Sequence, residues 1–201
     1  HTGKLMLPQG LGEGLLPVHR QYLKSRGFNW YELMRLWDVR GIGLANHLAW
    51  RIWIPIHYKG EIVSWTTRSI NNKPAGRYIS ASAQEEAMPH KGLLYGADYA
   101  RHAIVIVEGP FDVWHIGPGA VATLGTGWTP AQLKAMSRYT IRAVCFDNEP
   151  AAQRRAEQLC DELCLFDGDT TNITLNAKDA AEASEEEIQF VRKTFLQGVI
   201  T

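Results

Sequence analysis

The chain has 201 residues, and its 21 Lys+Arg balance 21 Asp+Glu. That is enough for one sizeable domain or two small ones, and no apolar run reaches the roughly 18 residues a membrane span needs. No secretory signal and no C-x-x-C pair occurs, which excludes a zinc ribbon and leads us to expect three free thiols in the cytoplasm.

The zero net charge hides an asymmetry. Residues 1–103 hold 13 Lys+Arg against 7 Asp+Glu, whereas residues 104–201 hold 8 against 14. A basic half and an acidic half suit a polyanion site with bound cations.

The Gly/Pro-rich start, "LPQGLGEGLLP", reads as an arm, and residues 1–16 are expected to be linker. "VHRQYLKSRG" has helical spacing and stops at Gly27, a natural residue after a helix end. "NWYELMRLW" begins a second helix with Asn29 as N-cap and Glu32 three residues on. "RIWIPIHY", Lys59-Gly60 and "EIVSWTTRSI" predict two strands joined by a tight turn. "NNKPAG" is a predicted loop, "RYISAS" a short strand and "GLLYGADYARH" a short helix. The tryptophans Trp50, Trp53 and Trp65 flank these strands and are expected in the core rather than as a base-stacking platform.

From residue 103 the rhythm changes. Strand "AIVIV", helix "FDVWHI", strand "AVATL", helix "PAQLKAMSRY", strand "IRAVCF", helix "AAQRRAEQLCDEL" and strand "LCLF" follow in turn. A last helix begins near Ser184, with Glu187 completing a capping box. Strands with near-continuous apolar runs alternating with helices predict a mostly parallel α/β sheet flanked by helices.

In such sheets functional groups gather at the carboxyl ends of strands. Glu108 ends one predicted strand and Asp147 another. Glu149 stands two residues beyond Asp147, and Asp112 lies on the first loop-helix junction. Like charges so close need a cation or a proton between them. Oxygen donors without His or Cys suit Mg²⁺ or Mn²⁺.

"VEGPFD", then "ATLGTG", then "FDNEPAAQRRA" resembles the TOPRIM domain shared by bacterial-type primases, topoisomerases and some nucleases. Glu108 stands 39 residues before Asp147, and Arg154 and Arg155 match the basic helix after the family's acids. The chain departs from the family in carrying Glu149 where Asp is usual. Upstream, "RIWIPIHYKGEIVSWTTRSI", "GRYIS" and "HKGLLYGADYA" resemble the basic subdomain before TOPRIM in bacterial and phage-type primases. The matching basic positions are Arg51, Arg68, Arg77 and Lys91. "NAKDAAEA" resembles the third acidic motif and makes Asp179 a further candidate ligand. "FDGD", with Asp167 and Asp169, copies the family's commonest acidic string. Its late position and the segment after it mark it as a solvated strand end.

The resemblance implies a small basic α+β subdomain over 17–102 and a TOPRIM domain over 103–201. It implies a nucleotidyltransferase that joins nucleoside triphosphates on single-stranded DNA. Glu108, Asp147 and Glu149 would be catalytic, and the metal ligands would come from these with Asp112 and Asp179. Arg51, Arg68, Arg77 and Lys91 would share one surface gripping triphosphate or template. A zinc-binding module and a helicase, absent from the sequence, would be partners. A TOPRIM nuclease and a non-catalytic nucleic-acid-binding relative are the alternatives.

Overall fold

The computed structural model describes residues 3–71 and 76–197. Residues 72–75 of the expected loop and the last residues of the expected 103–201 domain lie outside them. The chain divides into two compact units, His1–His90 and Lys91–Thr201. The division falls ahead of the boundary expected at residue 103.

The first unit opens with helices α1 (Pro17–Ser25) and α2 (Trp30–Trp37). At the end of α1, Gly27 takes φ +82° and its amide donates to the Lys24 carbonyl at 3.0 Å. An L side chain rarely takes that φ, so glycine belongs there. Asn29 caps α2, its Oδ1 accepting from the Tyr31 amide at 3.1 Å.

Four antiparallel strands follow in the order β1-β2-β3-β4: Arg40–Ile42, Arg51–Tyr58, Glu61–Ser69 and Tyr78–Ser80. Lys59 (φ 55°) and Gly60 (φ 82°) form the β2–β3 turn, and two positive φ values are what a tight hairpin turn of matching twist requires. One sheet face buries Trp53 and Trp65 with Ile42, Leu48 and Ala81. Trp50 instead is 36% exposed, with φ 57°. Glu86 is buried yet satisfied, its Oε2 lying within 2.9 Å of Ser64 Oγ and of the His90 amide and Nδ1.

Residues 3–14 are not a free linker. The Gly12 amide donates to Gly41, the Gly41 amide to Gly14 and the Gly43 amide to Gly10, at 2.9, 2.9 and 3.2 Å. The glycines that suggested looseness pair along β1. Strand β1 itself escaped the sequence reading. Gly41 sits under the buried His19 ring, and any Cβ there would collide with Nδ1.

The second unit is a parallel sheet in the order β6-β5-β7-β8. Its strands are β5 (Ala103–Val107), β6 (Ala120–Ala122), β7 (Ile141–Val144) and β8 (Asp169–Asn172). Its helices are α3 (Pro110–Ile116), α4 (Pro130–Met136), α5 (Pro150–Leu163) and α6 (Glu185–Phe195). Ile104, Ile106, Val144 and Phe146 pack under α4 and α5. Helix α6 lies against β5, β7 and α3. The all-buried pattern of β5 is the signature of a strand covered on both faces.

Two predicted elements differ. "GLLYGADYARH" holds a 3₁₀ turn, Ala97–Tyr99, rather than an α-helix. "LCLF" is not a strand: α5 runs to Leu163, and Leu165 is 83% exposed. The fourth strand is the polar "DTTN", an edge strand with little to bury. Arg142 on β7 is wholly buried. It donates to the carbonyls of Ser137, Tyr139, Leu163, Phe166 and Asp167 and to Thr170 Oγ1. One guanidinium thus satisfies carbonyls beyond α4 and at the end of α5. All three cysteines are free. Among the described residues no helix is long and apolar enough to cross a membrane.

Candidate metal centre

Chain order and sheet order disagree at β5. The chain leaves β5 for β6 on one side, then crosses to β7 on the other. Loops diverge from the carboxyl ends of β5 and β7, and the crevice between them is where open α/β sheets bind ligands. Glu108 follows β5 directly, and Asp147 follows β7 after Cys145 and Phe146.

Asp112, Asp147 and Asp179 meet there, each with a carboxylate oxygen within 4.8 Å of the others. Among the described residues this is the group of three or more His, Cys, Asp or Glu side chains compact enough to hold one ion. Each member arrives differently. Asp112 stands in the first turn of α3, with Oδ2 accepting from the Gly109 amide at 3.2 Å. Its Oδ1 accepts from the Ala181 amide at 3.0 Å, which ties α3 to the segment carrying Asp179. Asp179 caps the 3₁₀ turn Ala180–Glu182, accepting from the Glu182 amide at 2.9 Å.

Asp147 is set by its neighbours. Asn148, the middle residue of the Asp-x-Glu string, donates Nδ2 to the Leu175 carbonyl at 2.8 Å and its amide to the Lys178 carbonyl at 2.6 Å. Gln153 on α5 donates to the carbonyls of Phe146 and Asp147 at 3.2 and 3.1 Å. Its Oε1 accepts from Thr174 Oγ1 at 2.9 Å. Asn148 and Gln153 stitch the loop after β7 to the one after β8. Sequence reasoning passed over both, because an amide that bonds backbone carbonyls and a hydroxyl on a distant loop carries no motif.

Electrostatics explain why this cluster calls for a cation. Burial pushes Asp112 up to about 7, and the charges of Asp179 and Asp147 add to it, against two backbone amides. Asp147 is also pushed up to about 7, by burial and then by Glu108, Asp179 and Glu149, with Lys178 opposing. Both acids resist ionising until a proton or cation offsets the repulsion. The donor set fits a hard divalent ion. Mg²⁺ or Mn²⁺ takes oxygen ligands at about 2.1 Å, which puts adjacent ligand oxygens roughly 3 Å apart. Cys145 lies beneath, and burial with the charges of Asp112 and Asp147 pushes its thiol up to about 12. It stays a neutral core residue.

Glu108 and Glu149 fall outside this compact set. Glu108 is half-buried and pairs with Arg155 Nη2 at 3.3 Å. Burial pushes its carboxyl up, opposed by Arg155 and by the Asp147 amide, which donates to it. Glu149 is exposed, stands at the N-cap position of α5 without a side-chain capping bond and faces Lys178 Nζ at 3.5 Å. Asp167 and Asp169 are exposed. Asp169 pairs with Ile141, the first residue of β7. It therefore sits at the opposite end of the parallel sheet from the aspartate cluster, as a solvated strand end should.

The basic positions do not share one surface. Arg51 stands opposite Ser69, and Arg68 stands opposite Ile52. Directly opposed residues point to the same face and neighbours alternate, so Arg51 and Arg68 project from opposite faces of the first sheet. Arg51 is 6% exposed and donates to Thr67 Oγ1 at 2.7 Å and to the Arg77 carbonyl at 2.9 Å. It braces β4. Arg68 lies 4.9 Å from the Tyr78 ring centroid. Arg77 is exposed. In the second unit Lys91 is exposed and reaches the Leu124 carbonyl at 3.2 Å, on the loop after β6.

Known proteins agree with this architecture. Residues 105–185 match the Toprim-like family. A DNA primase of Synechococcus elongatus is 32% identical over 162 residues, covering 72% of this chain. The chain spans 23% of that primase's length. The zinc-binding and RNA polymerase domains of Aquifex aeolicus primase superpose with a TM-score of 0.70 at 17% identity, over 89% of this chain and 53% of that one. The E. coli primase catalytic core gives 0.70 at 19% identity, over 90% and 72%. The chain therefore carries a Toprim-like domain and has the fold of a primase catalytic core.

Proposed function

We propose that the chain is a primase catalytic core, a nucleotidyltransferase that makes RNA primers on single-stranded DNA. The observation that carries this reading is the meeting of Asp112, Asp147 and Asp179 at the switch point of a Toprim-like sheet. In the reaction a 3′-hydroxyl oxygen bonds to the α-phosphorus of the incoming triphosphate. The bond to the β-phosphate bridging oxygen breaks, and pyrophosphate leaves. Mg²⁺ or Mn²⁺ held by the three aspartates would neutralise the triphosphate and ease loss of the hydroxyl proton.

The chain's own residues have separate tasks. The amides of Gly109 and Ala181 fix Asp112, and Asn148 and Gln153 fix the loop carrying Asp147. Glu108, oriented by Arg155, is the proton acceptor beside this set. Glu149 lends negative charge at the rim. Exposed Lys91 offers a fixed positive charge for the triphosphate, and Arg77 and Arg68 offer charge for template phosphates in the first unit. Arg51 acts through its brace on β4. A zinc-binding module, present in the Aquifex structure, and a helicase are the proposed partners.

The test is incubation with single-stranded DNA, labelled ribonucleoside triphosphates and Mg²⁺ or Mn²⁺. Labelled products complementary to the template support the reading. Shortening of the DNA would instead make the chain a nuclease, and no reaction with either cation would make it a binding relative.

A further inference from the structure

Helices α1 and α2 carry charge and aromatic area that the aspartate centre does not use. Residues 17–37 hold Arg20, Lys24, Arg26 and Arg35 against the single acid Glu32. Arg20 and Lys24 are exposed and one turn apart on α1, and exposed Tyr31 and Arg35 stand one turn apart on α2. The Arg20 guanidinium lies 4.4 Å from the Trp30 ring centroid. Trp30 in turn meets Tyr31 edge-on, with centroids 6.1 Å apart and planes at 89°. Cations of one helix thus run into aromatics of the other without a break.

Tyr31 is 61% exposed on a helix that buries Leu33 and Trp37. Its ring therefore serves no core. We propose that this surface binds single-stranded nucleic acid, Tyr31 stacking on a base and Lys24 and Arg35 neutralising phosphates. The inference rests on the reading of the chain as one that uses a single-stranded template. Flat rings interleaved with cations suit a chain of bases and phosphates. Arg20 holds Trp30 in place from one face and is itself oriented, its Nε donating to the Leu15 carbonyl at 2.8 Å. The exposed aliphatics of the region, Leu16 and Val18, lie at the other end of α1 from Lys24, so the basic part offers no apolar core for a protein partner.

The test is fluorescence anisotropy of a labelled oligo(dT), without nucleotides or divalent cations. Tyr31→Ala should weaken binding about tenfold. Lys24→Ala with Arg35→Ala should lower the slope of log affinity against log salt by roughly 0.7 per charge. An abasic oligomer should lose the Tyr31 dependence and keep the salt dependence. A chain that makes no primer yet shows these effects keeps the surface and loses the polymerase reading. Primer synthesis alongside unchanged oligo(dT) affinity in both folded variants overturns the surface. So does an abasic oligomer weakened equally by Tyr31→Ala, or a surface that binds only protein.

Discussion

Asn148 donates its side-chain amide to the Leu175 carbonyl at 2.8 Å, and this bond joins the loop of Asp147 to the segment that carries Asp179. Asn148→Ala should leave every carboxylate present but release their spacing. Partners of this kind are worth about ten- to a hundredfold in metal affinity. Calorimetric titration with Mn²⁺ should show a loss in that range with little change in melting temperature. Unchanged affinity would mean the loops hold their spacing without Asn148.

The acids predict an unusual pH response. Asp112 and Asp147 are pushed up to about 7 from an ordinary 3.8. Below 3.8 both folded and unfolded chains are protonated there, so the pair has no effect on stability. Between 3.8 and 7 the folded chain keeps protons that the unfolded chain has released, so stability falls as pH rises. Urea unfolding without divalent cations should show this decline. Mn²⁺ affinity should climb across the same window, because the ion competes with those protons. A stability that rises from pH 5 to 7 would contradict the buried pair.

Asp167→Asn with Asp169→Asn should keep Mn²⁺ affinity within about twofold, as expected of surface substitutions worth roughly 0.5 kcal/mol or less. Both side chains are exposed, and Asp169 begins β8 at the edge away from the aspartate cluster. By the same geometry Asp179→Asn should cost more affinity than Glu149→Gln. The reverse order would put the metal on the Asp-x-Glu string alone.

Arg142→Met should destabilise the protein by about 3 to 5 kcal/mol, since it strands several buried carbonyls at once. Urea denaturation should show it as a lower midpoint at constant slope. A change under about 1 kcal/mol would mean that water replaces the guanidinium.

Strands β5 and β7 were legible because continuous apolar runs admit few other readings, and Glu108 and Asp147 followed from the strand ends. The helix starts were legible from caps such as Asn29 and Ser184, whose side chains accept the expected amides. Strand β8 was not, because an edge strand of Asp, Thr, Thr and Asn has no apolar signal. Strand β1 was hidden by Gly41, chosen for the His19 ring above it rather than for strand propensity. Asp179 came into view only through resemblance. Its placement depends on Asn148 and on the Ala181 amide, contacts between segments that no local pattern encodes. Arg51 and Arg68 lie at neighbouring ends of β2 and β3, but they do not share the expected surface, because a register offset of one residue sends them to opposite faces.

The central claim is that Asp112, Asp147 and Asp179 together hold a divalent cation. Calorimetric titration of the parent chain and of Asp147→Asn with Mn²⁺, at a pH above 7 and with circular dichroism confirming the fold, tests it most directly. The account predicts saturable binding to the parent and none to the folded variant. Equal affinity in the two would contradict it.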